Sequence, residues 1–247
     1  MSSPLNLNPA MTGLGEFGRL GVVYRNQWPQ VSDGIYDISS WIDYNFLKSN
    51  FSVGLNFSKE NKNILNLKTS IVSPSLSYEL KMNYKWVLRY GIQFSLINSN
   101  LNSSDLIFFD QLNQNGTLSP TLENFIYIEK LNLFSISSGL LAYSENIWGG
   151  VSIYNLNRPN LSYVNSDTKL ERLYSFHFGL RDKNLKLSPS IHFKKISTFY
   201  QLDLGTYFDL NPLSFGIWYR GIPIDKKNSF NSLIGSVSLK QKNINIS

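Results

Sequence analysis

The 247-residue sequence predicts an all-β protein, a membrane-spanning antiparallel up-and-down β-barrel. Three observations carry that expectation. Apolar and small polar residues alternate with period two along most of the chain, the signature of strands with one apolar and one polar face. The alternating segments run to about ten residues or more, whereas strands of globular proteins average about five or six and a strand crossing a bilayer needs roughly nine to eleven. Short and long connections alternate, which is the rim asymmetry of such barrels.

Twelve strands are expected, at 18–25, 34–46, 50–59, 68–82, 85–97, 131–144, 146–155, 171–181, 184–195, 198–208, 212–221 and 230–240, with a thirteenth beginning at Asn243. The third sets Phe51, Val53, Leu55 and Phe57 against Ser52, Gly54, Asn56 and Ser58. In the fourth, Pro74, Leu76, Tyr78, Leu80 and Met82 alternate with Ser75, Ser77, Glu79 and Lys81. The fifth places Trp86, Leu88, Tyr90, Ile92, Phe94 and Leu96 opposite Arg89, Gln93 and Ser95. The eighth opposes Tyr174, Phe176, Phe178 and Leu180 to Ser175, His177, Gly179 and Arg181. The ninth, opened by a polar turn, opposes Leu185, Leu187, Ile191 and Phe193 to Lys186, Ser190, His192 and Lys194. The tenth alternates Leu202 and Leu204 with Gln201, Asp203 and Gly205, and the eleventh Leu213, Phe215, Ile217 and Tyr219 with Ser214, Gly216, Trp218 and Arg220.

In hydrocarbon every backbone polar group must be paired, so a β protein spans only as a closed barrel, with alternate side chains facing lipid and lumen. Single-chain bacterial barrels have even strand numbers, so twelve strands and part of a thirteenth predict fourteen in the complete barrel, with either a longer native chain or closure by something else. Residues 1–247 are expected to form one barrel domain. Its longest loop covers about 98–130 and includes Leu106, Ile107, Phe108 and Phe109, an apolar run expected either to dock a partner or to fold back as a plug or lid. Pro74 and Pro189, which lack an amide donor, are expected to mark bulges. Aromatic residues near strand ends (Tyr24, Tyr44, Trp86, Tyr127, Tyr143, Tyr154, Tyr200, Tyr219) are expected to form interfacial girdles.

Composition agrees. Charged residues make up 16% of the chain, against about 25% in soluble domains, and no apolar run is long enough for a transmembrane helix. Cysteine is absent, which removes disulfides and thiolate metal sites. The net charge of +6 is scattered through turns, as expected of solvated lysines and not of a nucleic-acid surface. Residues 1–20 lack the pattern of a signal peptide. Asp37, Asp43, Glu79, Lys81, Arg89, Arg181, Lys194, Asp203 and Arg220 are expected to face the lumen and cross-link it, because buried charges require partners. His177 and His192 share the inward face and read as polar filling; no third metal ligand has recognisable spacing. No nucleophile, phosphate-loop or zinc motif is present, so no catalytic residue, cofactor or metal is assigned. The glycines of Gly13 to Gly18 precede no helix and make no dinucleotide site.

The motif NPAMTG, Asn8 to Gly13, is followed by YRNQW, Tyr24 to Trp28. The first of these favours a turn at the barrel's periplasmic entrance, and Arg25 and Trp28 would anchor the first loop. The two boxes together resemble the PorP/SprF family of type IX secretion membrane proteins. SFHFGL at 175–180 followed by LKLSPS at 185–190, and IWYR at 217–220, are similar to hairpins of that family. The resemblance covers most of the chain and maps Asn8, Pro9, Ala10, Gly13, Tyr24, Arg25, Asn26, Gln27 and Trp28 onto the family boxes. It implies an outer-membrane protein of the Bacteroidota, embedded in lipid and without enzymatic activity. Such a protein works with the type IX translocon or with the C-terminal region of a secreted surface protein, including adhesins of gliding motility. Trp28 and Leu106 to Phe109 are the expected partner contacts. Family members carry a signal peptide and continue through a final strand pair, so on this comparison the chain is expected to be trimmed or incompletely ordered. The competing expectation is a porin or an apolar-solute channel with an open lumen.

Overall fold

The structure is a computed structural model and describes residues 3–15, 17–27, 35–62, 67–102, 111, 130–163, 167–182, 184–221, 232–241 and 244–246. A short 3-10 turn (Pro9–Met11) precedes thirteen strands: β1 (Arg19–Gln27), β2 (Ile35–Phe46), β3 (Phe51–Lys62), β4 (Leu67–Lys81), β5 (Val87–Leu101), β6 (Lys130–Tyr143), β7 (Ile147–Tyr154), β8 (Leu173–Leu180), β9 (Leu187–Ile196), β10 (Phe199–Leu210), β11 (Leu213–Arg220), β12 (Ser232–Gln241) and β13 (Ile244–Ile246). They form one sheet in sequence order, each strand antiparallel to the next. This is the expected up-and-down topology. Among the described residues β1 pairs with β2 alone and β13 with β12 alone.

The sheet is inside-out relative to a soluble domain. On β3, Phe51, Val53, Leu55 and Phe57 are exposed while Ser52 and Asn56 are buried. On β8, Tyr174, Phe176, Phe178 and Leu180 are exposed, and Ser175 and His177 buried. Buried polar residues far outnumber buried apolar ones, and the concave face is lined with serine. Such a protein is stable only where its outer face meets an apolar medium.

Two expectations are corrected. Neither proline makes a bulge. Pro74 pairs with Leu55, and on its β5 side the register is the same before it (Val72 with Leu96) and after it (Ser75 with Gln93). Pro189 pairs with Thr206 and lies just past the last β8–β9 pair, Gly179 with Ser190. The missing amides are therefore accommodated by gaps in the ladder and not by an inserted residue. Of the expected girdle, Tyr24, Tyr44, Trp86, Tyr200 and Tyr219 are outward and exposed. Tyr143 instead turns inward, its hydroxyl donating to Glu79 at 3.2 Å. Tyr154 has its hydroxyl buried, and Tyr127 lies outside the described residues.

Glycine opposite an aromatic ring braces the wall at four places. Gly21 pairs with Trp41, Gly179 with Trp148, Gly205 with Trp218 and Gly216 with Tyr207. A Cβ at Gly205 would stand 2.2 Å from the Trp218 ring, so the ring lies flat over the bare glycine. That packing returns the contact a glycine strand position otherwise lacks.

Candidate functional site: a peptide plug in the lumen

Residues 3–15 carry no charge and precede the first strand. They do not form a turn at the rim, as the Asn8-Pro9 pair predicts. They fold into the concave side of the sheet, where Leu5, Asn8, Pro9, Ala10 and Thr12 are fully buried. The 3-10 turn packs against β4, β5 and β6. Its neighbours Gly91, Gly139 and Gly150 lie near the strand ends joined by short turns. At about 3.3 Å per residue and a tilt of about 40°, that places the turn roughly 10 Å inside the short-turn rim.

Asn8 organises the segment. Its Oδ1 accepts from the Ala10 amide at 2.8 Å, so it caps the 3-10 turn while Pro9, whose missing amide costs nothing there, occupies the first position. Its Nδ2 donates to the Leu140 and Val151 carbonyls at 2.9 and 3.1 Å and lies 3.2 Å from Nε2 of His177. Four inward glycines make room. A Cβ at Gly91 would stand 2.2 Å from the Ala10 nitrogen, one at Gly139 1.9 Å from Oδ1 of Asn8, one at Gly150 2.9 Å from Nδ2 of Asn8 and one at Gly54 2.9 Å from Cγ2 of Thr12.

Two barrel charges close over the segment. Arg89, 1% exposed, donates from Nη1 to Glu79 at 2.7 Å and from Nε to the Ala10 carbonyl at 3.2 Å. Its Nη2 reaches the Thr12 carbonyl at 2.5 Å and the hydroxyls of Ser77 and Ser52 at 2.7 and 3.0 Å. Asp43 accepts from the Gly13 amide at 2.7 Å and pairs with Arg19, which also donates to the Met11 carbonyl at 3.0 Å. Serines finish the contact: Ser77 donates to the Thr12 carbonyl at 2.8 Å, Ser152 to the Leu7 carbonyl at 2.9 Å, and Thr12 to Ser75 at 2.9 Å. Nearly every bond from the barrel thus ends on main chain. Gly13, at φ +66°, turns the chain toward β1, and a side chain there would strike Ser52.

The expected lumen charges divide accordingly. Asp43, Arg89 and Asp203 are buried, and Asp203 pairs with Arg220 at 3.2 Å. Asp37 faces Arg25 at 3.8 Å, Lys194 is half-buried, and Lys81 and Arg181, at the ends of β4 and β8, are exposed beside short turns. His192 approaches Ser175 Oγ at 2.9 Å, and its ring centroid is 6.3 Å from that of His177. Both act as polar filling. On the long-loop side the β7–β8 connection folds back: Asn160 bridges Lys169, and the Tyr163 hydroxyl lies 2.6 Å from Oγ of Ser99 on β5.

The family model for type IX secretion system membrane protein PorP/SprF matches residues 1–247. The chain belongs to the PorP/SprF family. Neither a curated protein nor a solved structure matches it. In this PorP/SprF chain the two family boxes part company. Asn8, Pro9, Ala10 and Gly13 sit in the plug, whereas Tyr24, Arg25, Asn26 and Gln27 end β1, with Tyr24 facing outward and Arg25 donating to Gln27 at 2.9 Å. Trp28 and Leu106, Ile107, Phe108 and Phe109 lie outside the described residues. Sequence reading missed the plug seat. Its traces are the chargeless stretch before β1, the inward glycines and the run of inward serines.

Proposed function

We propose that the protein is a non-enzymatic outer-membrane barrel of the type IX secretion and gliding machinery, a single domain whose short turns face the periplasm. It anchors an exported surface protein through that protein's C-terminal region, or docks on the translocon. Its long loops at the cell surface carry recognition, with Trp28 and Leu106 to Phe109 as the contacts. Rigid walls with variable loops are the usual division of labour between scaffold and site.

The observation that favours a scaffold over a solute channel is the segment packed on the inner face of the sheet. Its 3-10 turn lies against β4, β5 and β6, and Arg89 and Arg19, held by Glu79 and Asp43, bind its carbonyls. Family membership supplies the type IX context. Deleting residues 103–125, which spares β5 and β6, tests the proposal by co-purification from native membranes. Loss of the type IX partner with the barrel still folded is the expected result. Undiminished capture overturns the role of the loop, and large steady currents through the intact protein in planar bilayers overturn the closed lumen.

A further inference from the structure

We infer that the lumen contains a preformed peptide-binding site, that residues 5–13 are its ligand in cis, and that this ligand is exchangeable. The site takes a short neutral peptide with an Asn-Pro-small-residue turn.

Three observations carry this. The first concerns charge. Residues 3–15 have none, and each charged group touching them is compensated from the barrel itself. Without the segment, Arg89 keeps Glu79 at 2.7 Å and the hydroxyls of Ser52 and Ser77, and Asp43 keeps Arg19. Departure therefore strands no buried charge, the event that makes removal of one partner of an ion pair so destabilising. The second concerns what is read. Arg89, Arg19, Ser77 and Ser152 bind carbonyls of Ala10, Thr12, Met11 and Leu7, and Asp43 binds the Gly13 amide, so any main chain of this shape satisfies them. Sequence is read at Asn8, by two carbonyls of the wall, at Asn6, whose Oδ1 accepts from Asn56 at 3.0 Å, at Thr12, whose hydroxyl donates to Ser75, and at Ala10, which is fully buried. The third concerns shape. The glycines that leave room for the segment belong to strands paired along their length by backbone bonds that do not involve it. The cavity is thus a property of the wall, and the segment is tied to β1 through a connector containing Gly13, Gly15 and Gly18.

The test uses the full chain in detergent with a protease site inserted in the 14–18 connector. After folding and cleavage, a fluorescent synthetic peptide of residues 3–15 should replace the cut segment, read by anisotropy. The barrel should keep its heat-modifiable band in gel electrophoresis, and an Asn8→Ala peptide should bind at least about tenfold more weakly. Absence of exchange, loss of the folded band on release, or equal binding of the Asn8→Ala peptide each overturns the inference. Should the cleavable chain fail to fold, the uncut chain serves with Leu7→Cys as a unique thiol, since cysteine is otherwise absent. In the parent background that thiol should be protected; with Gly91→Val, whose side chain occupies the place of Pro9 and Ala10, it should react at least about tenfold faster. Protection in both backgrounds overturns the exchangeable plug. None of these readouts depends on the loops, so the scaffold role fails or stands separately.

Discussion

Arg89→Met should be the most damaging single substitution in the lumen. The side chain is 1% exposed and is held by Glu79 and by two plug carbonyls. Methionine fills much of the aliphatic volume but leaves the Glu79 carboxylate, 17% exposed, with the Tyr143 hydroxyl at 3.2 Å as its remaining partner. Orphaning one member of a buried pair costs about 3–5 kcal/mol. The residual exposure and the Tyr143 bond place this case near the lower end, at about 3 kcal/mol. The Ala10 carbonyl also loses its charged donor, while the Thr12 carbonyl retains Ser77. Equilibrium denaturant unfolding in lipid vesicles measures the loss, and the double variant Arg89→Met/Glu79→Gln isolates its cause. Removing the stranded charge should recover about 2 kcal/mol. A single-variant loss under about 1 kcal/mol, or a double variant no more stable than Arg89→Met alone, would refute the role of Arg89 as a charge-compensated clamp.

Two further substitutions probe the wall. Gly205→Val should lower the unfolding free energy by about 1–3 kcal/mol by overpacking, because its Cβ meets the Trp218 ring at 2.2 Å, and should raise quenching of Trp218 fluorescence by an aqueous quencher. An unchanged unfolding midpoint would mean that the ring is free to move aside. Leu55→Arg, on the outward face of β3, should cost about 2–4 kcal/mol in lipid vesicles, whereas Leu55→Phe should be near neutral; equal behaviour of the two would place that face away from hydrocarbon.

Much of the fold is legible in the sequence because it is local. Period-two alternation sets which side chain of Phe51 to Phe57 points outward whatever the neighbouring strand does, and the expected strands agree with those found to within a few residues. Even the inward direction of Trp218 and Arg89 follows from counting by twos. Pairing is different. That Arg89 meets Glu79, Arg19 meets Asp43 and Arg220 meets Asp203 depends on the register between strands. The inward set of charges can be read off the chain, but its partners cannot, and strand ends decide that Lys81 and Arg181 are exposed.

The sequence by itself determined an all-β barrel with an apolar exterior, a small-residue polar interior, alternating short and long connections, and two boxes near its beginning. Tertiary structure alone decided that the first box lies against the inner face of the sheet. Asn8 is buried by Leu140, Val151 and His177, residues more than 130 positions away, so no local period records its burial. The glycines that receive the segment read, in one dimension, as ordinary weak points of four separate strands; only the pairing of those strands side by side in one sheet turns them into one surface.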